Sequence, residues 1–233
     1  MYLEALTLET KKLWPQLNKF SEFVLAGGTA LALQLGHRVS ADFDFFSEKE
    51  IESSLLNRVE DLFKNSTIAI VLNTSEQLTV TVSGVKITFL AYRFRRQNEP
   101  VIFEGVRLLG IRDIAAAKAY ALGRRATLKD YVDLFFIVSE KHLALPEVID
   151  LAQKTYGDAF DPRLFLEELV YLTDVPEEPI RFLKSPVNKE YIERFFERQI
   201  ALLDVGLPPG RRFCSFLEGK NNAPRSKLRG ALF

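Results

Sequence analysis

The sequence predicts an α+β chain, with a mixed β-sheet flanked by helices and then a C-terminal helical part. Two observations carry this expectation. Short stretches with strand alternation cluster before Gly110, and apolar residues recur at helical spacing after it, with the switch near Arg112 and no internal repeat. The expected organisation is a mixed core over 1–110, a helical domain over 111–209 and a basic tail over 210–233. At 233 residues and 47% hydrophobic, the chain can bury one sizeable core, or a core with a helical appendage.

The segment Leu3 to Leu17 predicts a short helix that breaks near Trp14-Pro15, because proline cannot donate to the preceding turn. Phe23 to Ala26 is a brief apolar run ending at Gly27-Gly28. Thr29 to Leu35 reads as a helix closed by Gly36. Ala41 to Phe46 alternates acid and aromatic, the periodicity of a strand. Ser47 is expected to cap a helix over Lys49 to Phe63, with Glu50 in the capping box. Thr67 to Leu72, Gln77 to Val82 and Val85 to Tyr92 read as strands, the last two joined by a Ser83-Gly84 hairpin turn. Helices are expected over Ile114 to Leu122, Leu128 to Val138, Glu147 to Lys154, Pro162 to Leu172 and Lys189 to Leu203. Pro176, Pro179 and Pro186 mark a loop before the last of them.

Charge is balanced, 31 Lys+Arg against 31 Asp+Glu, so no global basic field recruits nucleic acid. Local patches remain: Arg93, Arg95 and Arg96, and the tail with Arg211, Arg212, Lys220, Arg225, Lys227 and Arg229, read either as solvated chain or as an arm for RNA phosphates. The single cysteine, Cys214, excludes an internal disulfide and suits a reducing cytosol. No apolar run reaches the roughly 18 residues of a membrane span, and the N-terminus does not read as a signal peptide. A cytoplasmic protein without membrane contact is expected.

Asp42 and Asp44 carry the chemistry. Two apart on a strand, they share a face, while Phe43 and Phe45 anchor the opposite face in the core. Like charges held so close repel unless a cation lies between them, and an oxygen pair of this kind suits Mg²⁺. The alternative is an amphipathic edge strand with a polar outer face, although aspartate is depleted in strands. Upstream, Gly27-Gly28-Thr29 stands at a strand-to-helix junction, where glycine admits a close ligand and free N–H groups attract anions. Together the two segments could hold a triphosphate and its bridging metal.

The run Leu25-Ala26-Gly27-Gly28-Thr29-Ala30-Leu31, then Gly36-His37-Arg38, Ser40 and Asp42-Phe43-Asp44-Phe45-Phe46, resembles the signature of the AbiEii/AbiGii-type toxin nucleotidyltransferases. That family belongs to the polymerase-β-like nucleotidyltransferase superfamily. Asp113-Ile114-Ala115-Ala116-Ala117-Lys118 resembles its helix that brings a lysine near the triphosphate. Lys129-Asp130-Tyr131-Val132-Asp133 resembles its Lys-Asp-x-x-Asp motif. The resemblance covers roughly residues 23–138, and three motifs occur in order.

The resemblance implies a nucleotidyltransferase-like fold and a metal-dependent transfer of NMP from an NTP to an RNA (including tRNA) or protein hydroxyl. The chain would then be the toxin of a toxin–antitoxin or phage-defence pair, with a cognate antitoxin as partner. Asp42 and Asp44 would bind Mg²⁺ or Mn²⁺. Gly27, Gly28, Thr29, His37, Arg38 and Ser40 would contact the nucleotide, and Lys118, Asp130 and Asp133 would complete the catalytic set.

Residue by residue, the alternatives stay open. Lys118 either reaches outward or faces an anionic ligand. In its alanine-rich helix, Lys118→Ala is expected not to destabilise the fold. Asp130 and Asp133 line the cleft and orient Lys118, or Asp133 merely pairs with Lys129 at the surface. His37 and Arg38 contact phosphate or base, or serve the fold. One position departs from the superfamily pattern: Thr88 stands where a third carboxylate is expected, which leaves Glu104 or Asp130 as substitute bases. A second function class follows from it, a degenerate domain that binds nucleotide or a partner protein without turnover.

Overall fold

Residues 1–125 and 127–203 are described by a computed structural model, so Cys214 and the basic segment 210–233 lie outside the described residues. The chain divides into two compact units, residues 1–114 with 180–185, and residues 115–179 with the segment from 186 onward.

In the first unit a 3-10 turn, Leu3–Ala5, precedes α1 (Leu8–Leu13), whose Thr7 cap accepts the Thr10 N–H at 3.2 Å. The helix tightens to a 3-10 helix over Trp14–Lys19, at the predicted break, because Pro15 cannot continue the α-helical ladder. Strand β1 (Val24–Ala26) runs into α2 (Gly27–Leu35), closed by Gly36 at φ 63° in the left-handed region. Then come β2 (Phe43–Ser47), α3 (Ser54–Leu62), β3 (Ile68–Asn73), β4 (Gln77–Val82) and β5 (Val85–Ala91). A hairpin of β6 (Val101–Phe103) and β7 (Val106–Leu108) completes the sheet.

Among the described residues seven strands form one mixed sheet in the order β3-β4-β5-β2-β1-β7-β6. β2 is central, antiparallel to β1 and parallel to β5. Alternation divides the two faces. Phe43, Phe45, Ile87, Phe89, Leu78 and Val80 are buried on one, where Phe20 packs edge-on to Phe89 with ring centres 4.9 Å apart. Asp44, Thr88 and Thr79 lie in register on the other. The Ser83-Gly84 turn forms as expected, with φ 50° and 84°, the pair of positive values that a two-residue hairpin requires.

Two local expectations differ from the structure, and one hairpin lies where the sequence predicts no strand. The helix after β2 begins at Ser54, not at Lys49. Ser47 ends the strand, its hydroxyl accepts the Lys49 N–H at 3.1 Å, and Ile51 is buried and bonded through its N–H to the Ser75 carbonyl at 2.8 Å. A residue held to a neighbouring loop cannot join a helical ladder, so the Ser47–Glu50 capping box does not form. The β6–β7 hairpin carries little sequence signal of its own. Its Glu104-Gly105 turn repeats the positive-φ pair, at 50° and 81°, but strands of three residues show little alternation. Finally, part of the proline-marked loop is structural: residues 180–185 belong to the first unit, where the Arg181 carbonyl accepts the Val39 N–H at 2.8 Å and Phe182 bridges Arg38.

The division between units falls inside α4 (Ile111–Leu122). The second unit continues with α5 (Leu128–Ser139), α6 (Leu145–Tyr156), α7 (Pro162–Leu169) and α8 (Lys189–Leu203). Every residue of α5 from Asp130 to Val138 is buried. A helix buried all round must pair any charge it carries. Tyr131 of α5 donates its hydroxyl to the Glu168 carbonyl of α7 at 3.0 Å. Among the described residues no helix is long and apolar enough to cross a membrane.

Candidate active site

The central strand determines the site. Asp44 sits between Ala26 of β1 and Thr88 of β5 on the face opposite Phe43 and Phe45. Both phenylalanines are sealed in the core, so the strand cannot rotate to withdraw the carboxylate. Asp42, one pleat earlier, is half exposed, and its Oδ2 lies 4.0 Å from Lys86 Nζ, which is equally exposed. An ion pair that loose in solvent is worth a few tenths of a kcal/mol, so Lys86 holds the Asp42 carboxylate only weakly.

The glycine pair meets these residues closely. Gly27 opens α2 at φ 65°, and a Cβ there would stand 2.9 Å from Asp44 Oδ2. A Cβ on Gly28 would stand 2.3 Å from Arg38 Nη2. A side chain at either position would displace the Asp44 carboxylate or the Arg38 guanidinium, and at Gly27 the left-handed backbone favours glycine as well. No side chain caps the start of α2, and both glycines are part-exposed, so its first N–H groups are available to an anion. We expect Gly27→Ala to cost about 1–2 kcal/mol through the left-handed backbone alone. It should also push the Asp44 carboxylate aside. Thermal unfolding and an Mn²⁺ titration measure the two effects, and unchanged Mn²⁺ affinity would separate Gly27 from the metal site.

The other sequence-predicted residues take defined places. Thr29 is buried; its hydroxyl donates to the backbone carbonyl of Asp42 and lies 2.7 Å from the Ser40 hydroxyl, which ties α2 to the entry of β2. Arg38 is buried beside Gly28, and its Nη1 donates to the Val39 carbonyl at 3.2 Å. His37 is fully buried, and its backbone carbonyl accepts the Leu183 N–H at 3.0 Å. Asp42, Asp44, Gly27, Gly28, Thr29, Arg38 and Ser40 are thus one cluster of the first unit.

Lys118, Asp130 and Asp133 form a second cluster, within the second unit. Lys118 Nζ lies 2.6 Å from Asp130 Oδ1 and 2.6 Å from Asp133 Oδ2, and all three side chains are buried. Thr127 adds a hydroxyl hydrogen bond to Asp130 Oδ2 at 2.7 Å. Lys118 does not reach outward, and the alternative surface pair of Lys129 with Asp133 does not form. Lys129 bonds Glu178 instead, at 2.8 Å, while Asp133 is completely inaccessible.

Neither substitute base stands free. Asp130 is held by Lys118 and Thr127. Glu104 accepts the Trp14 indole N–H at 2.6 Å, and Trp14 packs on Phe43, the residue that faces away from Asp42 and Asp44. Thr88 lies beside Asp44, as the strand alignment required. Its hydroxyl is 3.5 Å from that of Thr79, which accepts from Gln77 Nε2 at 2.9 Å. Gln77 and Thr79 were not singled out in the sequence, although the alternation that exposes Thr88 extends to them through the hairpin register.

Among the described residues no group of three or more His, Cys, Asp or Glu is placed to hold a metal ion. Two carboxylates beside an uncapped helix start still suit Mg²⁺, which takes one or two carboxylates and fills its shell with phosphate oxygens and water.

The family described as "Nucleotidyl transferase AbiEii toxin, Type IV TA system" matches residues 12–219. An uncharacterized protein of Aquifex aeolicus (strain VF5) is 34% identical over 184 residues, 77% of this chain and 87% of that protein. Among solved structures, one from H. pylori assigned to the nucleotidyltransferases superposes with TM-score 0.58 at 22% identity, over 96% of this chain and all of that one. MenT4, a nucleotidyltransferase toxin from Mycobacterium tuberculosis H37Rv, superposes with TM-score 0.56 at 16% identity, over 88% of this chain and 85% of its own. At these identities the structural likeness concerns the fold. The match across most of the sequence concerns descent, and by it this chain belongs to the AbiEii nucleotidyl transferase toxin family.

Proposed function

We propose that this chain transfers a nucleoside monophosphate from an NTP to a hydroxyl of RNA, tRNA included, or of protein, in an Mg²⁺- or Mn²⁺-dependent reaction. The observation that carries the reading is Asp44 on the open face of the central strand with Asp42 at its entry, Gly27 against Asp44 and the uncapped start of α2 alongside. The family's description as the toxin of a TA system supports a cognate antitoxin as partner, and the reading places the reaction in the cytoplasm, where NTP and RNA are at hand.

In this reading Asp42 and Asp44 hold the divalent ion. When bound, the ion neutralises phosphate charge and polarises the α-phosphate. The first turn of α2 receives β- and γ-phosphate oxygens through backbone N–H groups. The acceptor oxygen forms a bond to the α-phosphorus, the bond to pyrophosphate breaks, and the acceptor proton leaves to solvent. Thr88 stands in the pattern's acid position but, as a hydroxyl, cannot take that proton at neutral pH. Thr29 and Ser40 position Asp42. Asp130 and Asp133 orient Lys118 and hold α4 to α5.

Thr88 also favours a second reading, nucleotide binding without turnover. Incubation with each labelled NTP, Mg²⁺ and total RNA or protein decides between them. Label in a macromolecule supports transfer, and Thr88→Asp should then help little or hurt by crowding a third carboxylate into a site balanced for two. Mg·NTP binding with no label in any acceptor supports the second reading, in which Thr88→Asp gains metal affinity only.

A further inference from the structure

The strands that carry Asp44 and Thr88, with Tyr92 just after the second, also hold two aromatic pairs, one on each face. On the core face Phe45 stacks on Phe89 with centres 5.2 Å apart and planes at 14°, and both rings are sealed. On the carboxylate face Phe46 stacks on Tyr92 with centres 4.3 Å apart and planes at 15°, and both stay part-exposed. Phe46 follows Asp42 and Asp44 in the same alternation, and Tyr92 follows Thr88 and Leu90. The stack therefore lies one pleat from Asp44, about 7 Å along the strand. Because Ala26 pairs with Asp44 and Val24 with Phe46, the stack lies on the side of Asp44 away from Gly27.

The segment beyond Tyr92 is anchored rather than loose. The Tyr92 N–H extends the ladder to the Ser47 carbonyl at 2.6 Å. Phe94 packs edge-on against Tyr92 with centres 5.6 Å apart. Buried Asp113 accepts the Gln97 N–H at 2.8 Å and Asn98 Nδ2 at 3.0 Å. The run Tyr92-Arg93-Phe94-Arg95-Arg96 thus interleaves aromatic and cationic side chains on a fixed support, a composition that suits a flat π-system next to phosphate.

We propose that the Phe46–Tyr92 stack is a nucleobase platform, resting on the transfer reading above for its position beside the reacting phosphate. The base belongs either to the incoming NTP or to the acceptor strand; stacking is common to both. An anchored pair loses little freedom on binding, and a base covering it removes from water apolar ring surface that the fold leaves open.

Binding to the full chain is measured with Mg²⁺ for the four NTPs, for inorganic triphosphate, and for a short single-stranded RNA with its abasic counterpart. Phe46→Leu and Tyr92→Leu should each weaken base-bearing probes on the order of tenfold and leave inorganic triphosphate and the abasic strand unchanged. Phe46→Trp, which keeps a π-face, should retain binding. Loss confined to NTPs assigns the base to the incoming nucleotide, and loss confined to RNA assigns it to the acceptor. Undiminished binding of every base-bearing probe overturns the platform, as does a parent chain that binds none of them or an equal loss for triphosphate. A parent that binds bases through this pair yet labels no acceptor sinks the transferase reading alone.

Discussion

Asp42→Asn and Asp44→Asn are each expected to remove Mg²⁺-dependent NTP binding, with at least a hundredfold loss of affinity. Removing even an outer partner of a metal ligand commonly costs ten- to a hundredfold, and β2 with the residue before it offers two carboxylates, Asp44 and Asp42. Asparagine keeps the shape and one oxygen but not the charge that holds a hard cation. Stability should respond differently. The Asp42 side chain is 52% exposed and only loosely paired with Lys86, so its replacement should fall within about 0.5 kcal/mol of the parent. Calorimetric titration with Mg·NTP, beside thermal unfolding, reads both quantities. Parent-like binding in both variants would falsify the metal assignment.

Lys118→Ala should be the most destabilising of the substitutions considered, by about 3–5 kcal/mol. From the sequence alone it is harmless, an alanine added to a helix that already favours alanine. The structure reverses that expectation, because removal of the ammonium leaves Asp130 and Asp133 as two buried carboxylates sharing one site. Replacing Asp133 with Asn in the Lys118→Ala background should recover part of the loss by removing one uncompensated charge. Urea unfolding of the parent, the single and the double variant measures the coupling. If Lys118→Ala unfolds at the parent's midpoint, the triad is not what holds α4 to α5.

The contrast between these two predictions separates what was legible in the sequence from what was not. The Asp42-Phe43-Asp44-Phe45 alternation sorts side chains to opposite faces by backbone geometry alone. Ser83-Gly84 and Gly36 mark positions where the chain needs positive φ. The Thr88 alignment was legible for the same reason: period two runs along β5 from Val85 to Phe89. Lys118 was legible as an oddity in an apolar helix, but its partners were not. A buried cation needs an anion, yet nothing within its own turn says whether a ligand or another helix supplies it.

Sequence by itself determined the α+β order, the two faces of the central strand, the glycine start of α2 and the motifs that mark the family. Those features arise from interactions among near neighbours in the chain, where sterics and side-chain period leave few choices. Tertiary structure alone decided that Asp44 lies against Gly27 and Arg38 against Gly28, and that residues 181–183 pair with residues 37–39. It also decided that Glu104 serves Trp14 and that Asp130 and Asp133 enclose Lys118. Each of these joins residues that local pattern does not link. Such contacts form only when burial of the whole core offsets the entropy of closing the intervening chain, a balance that no single motif contains.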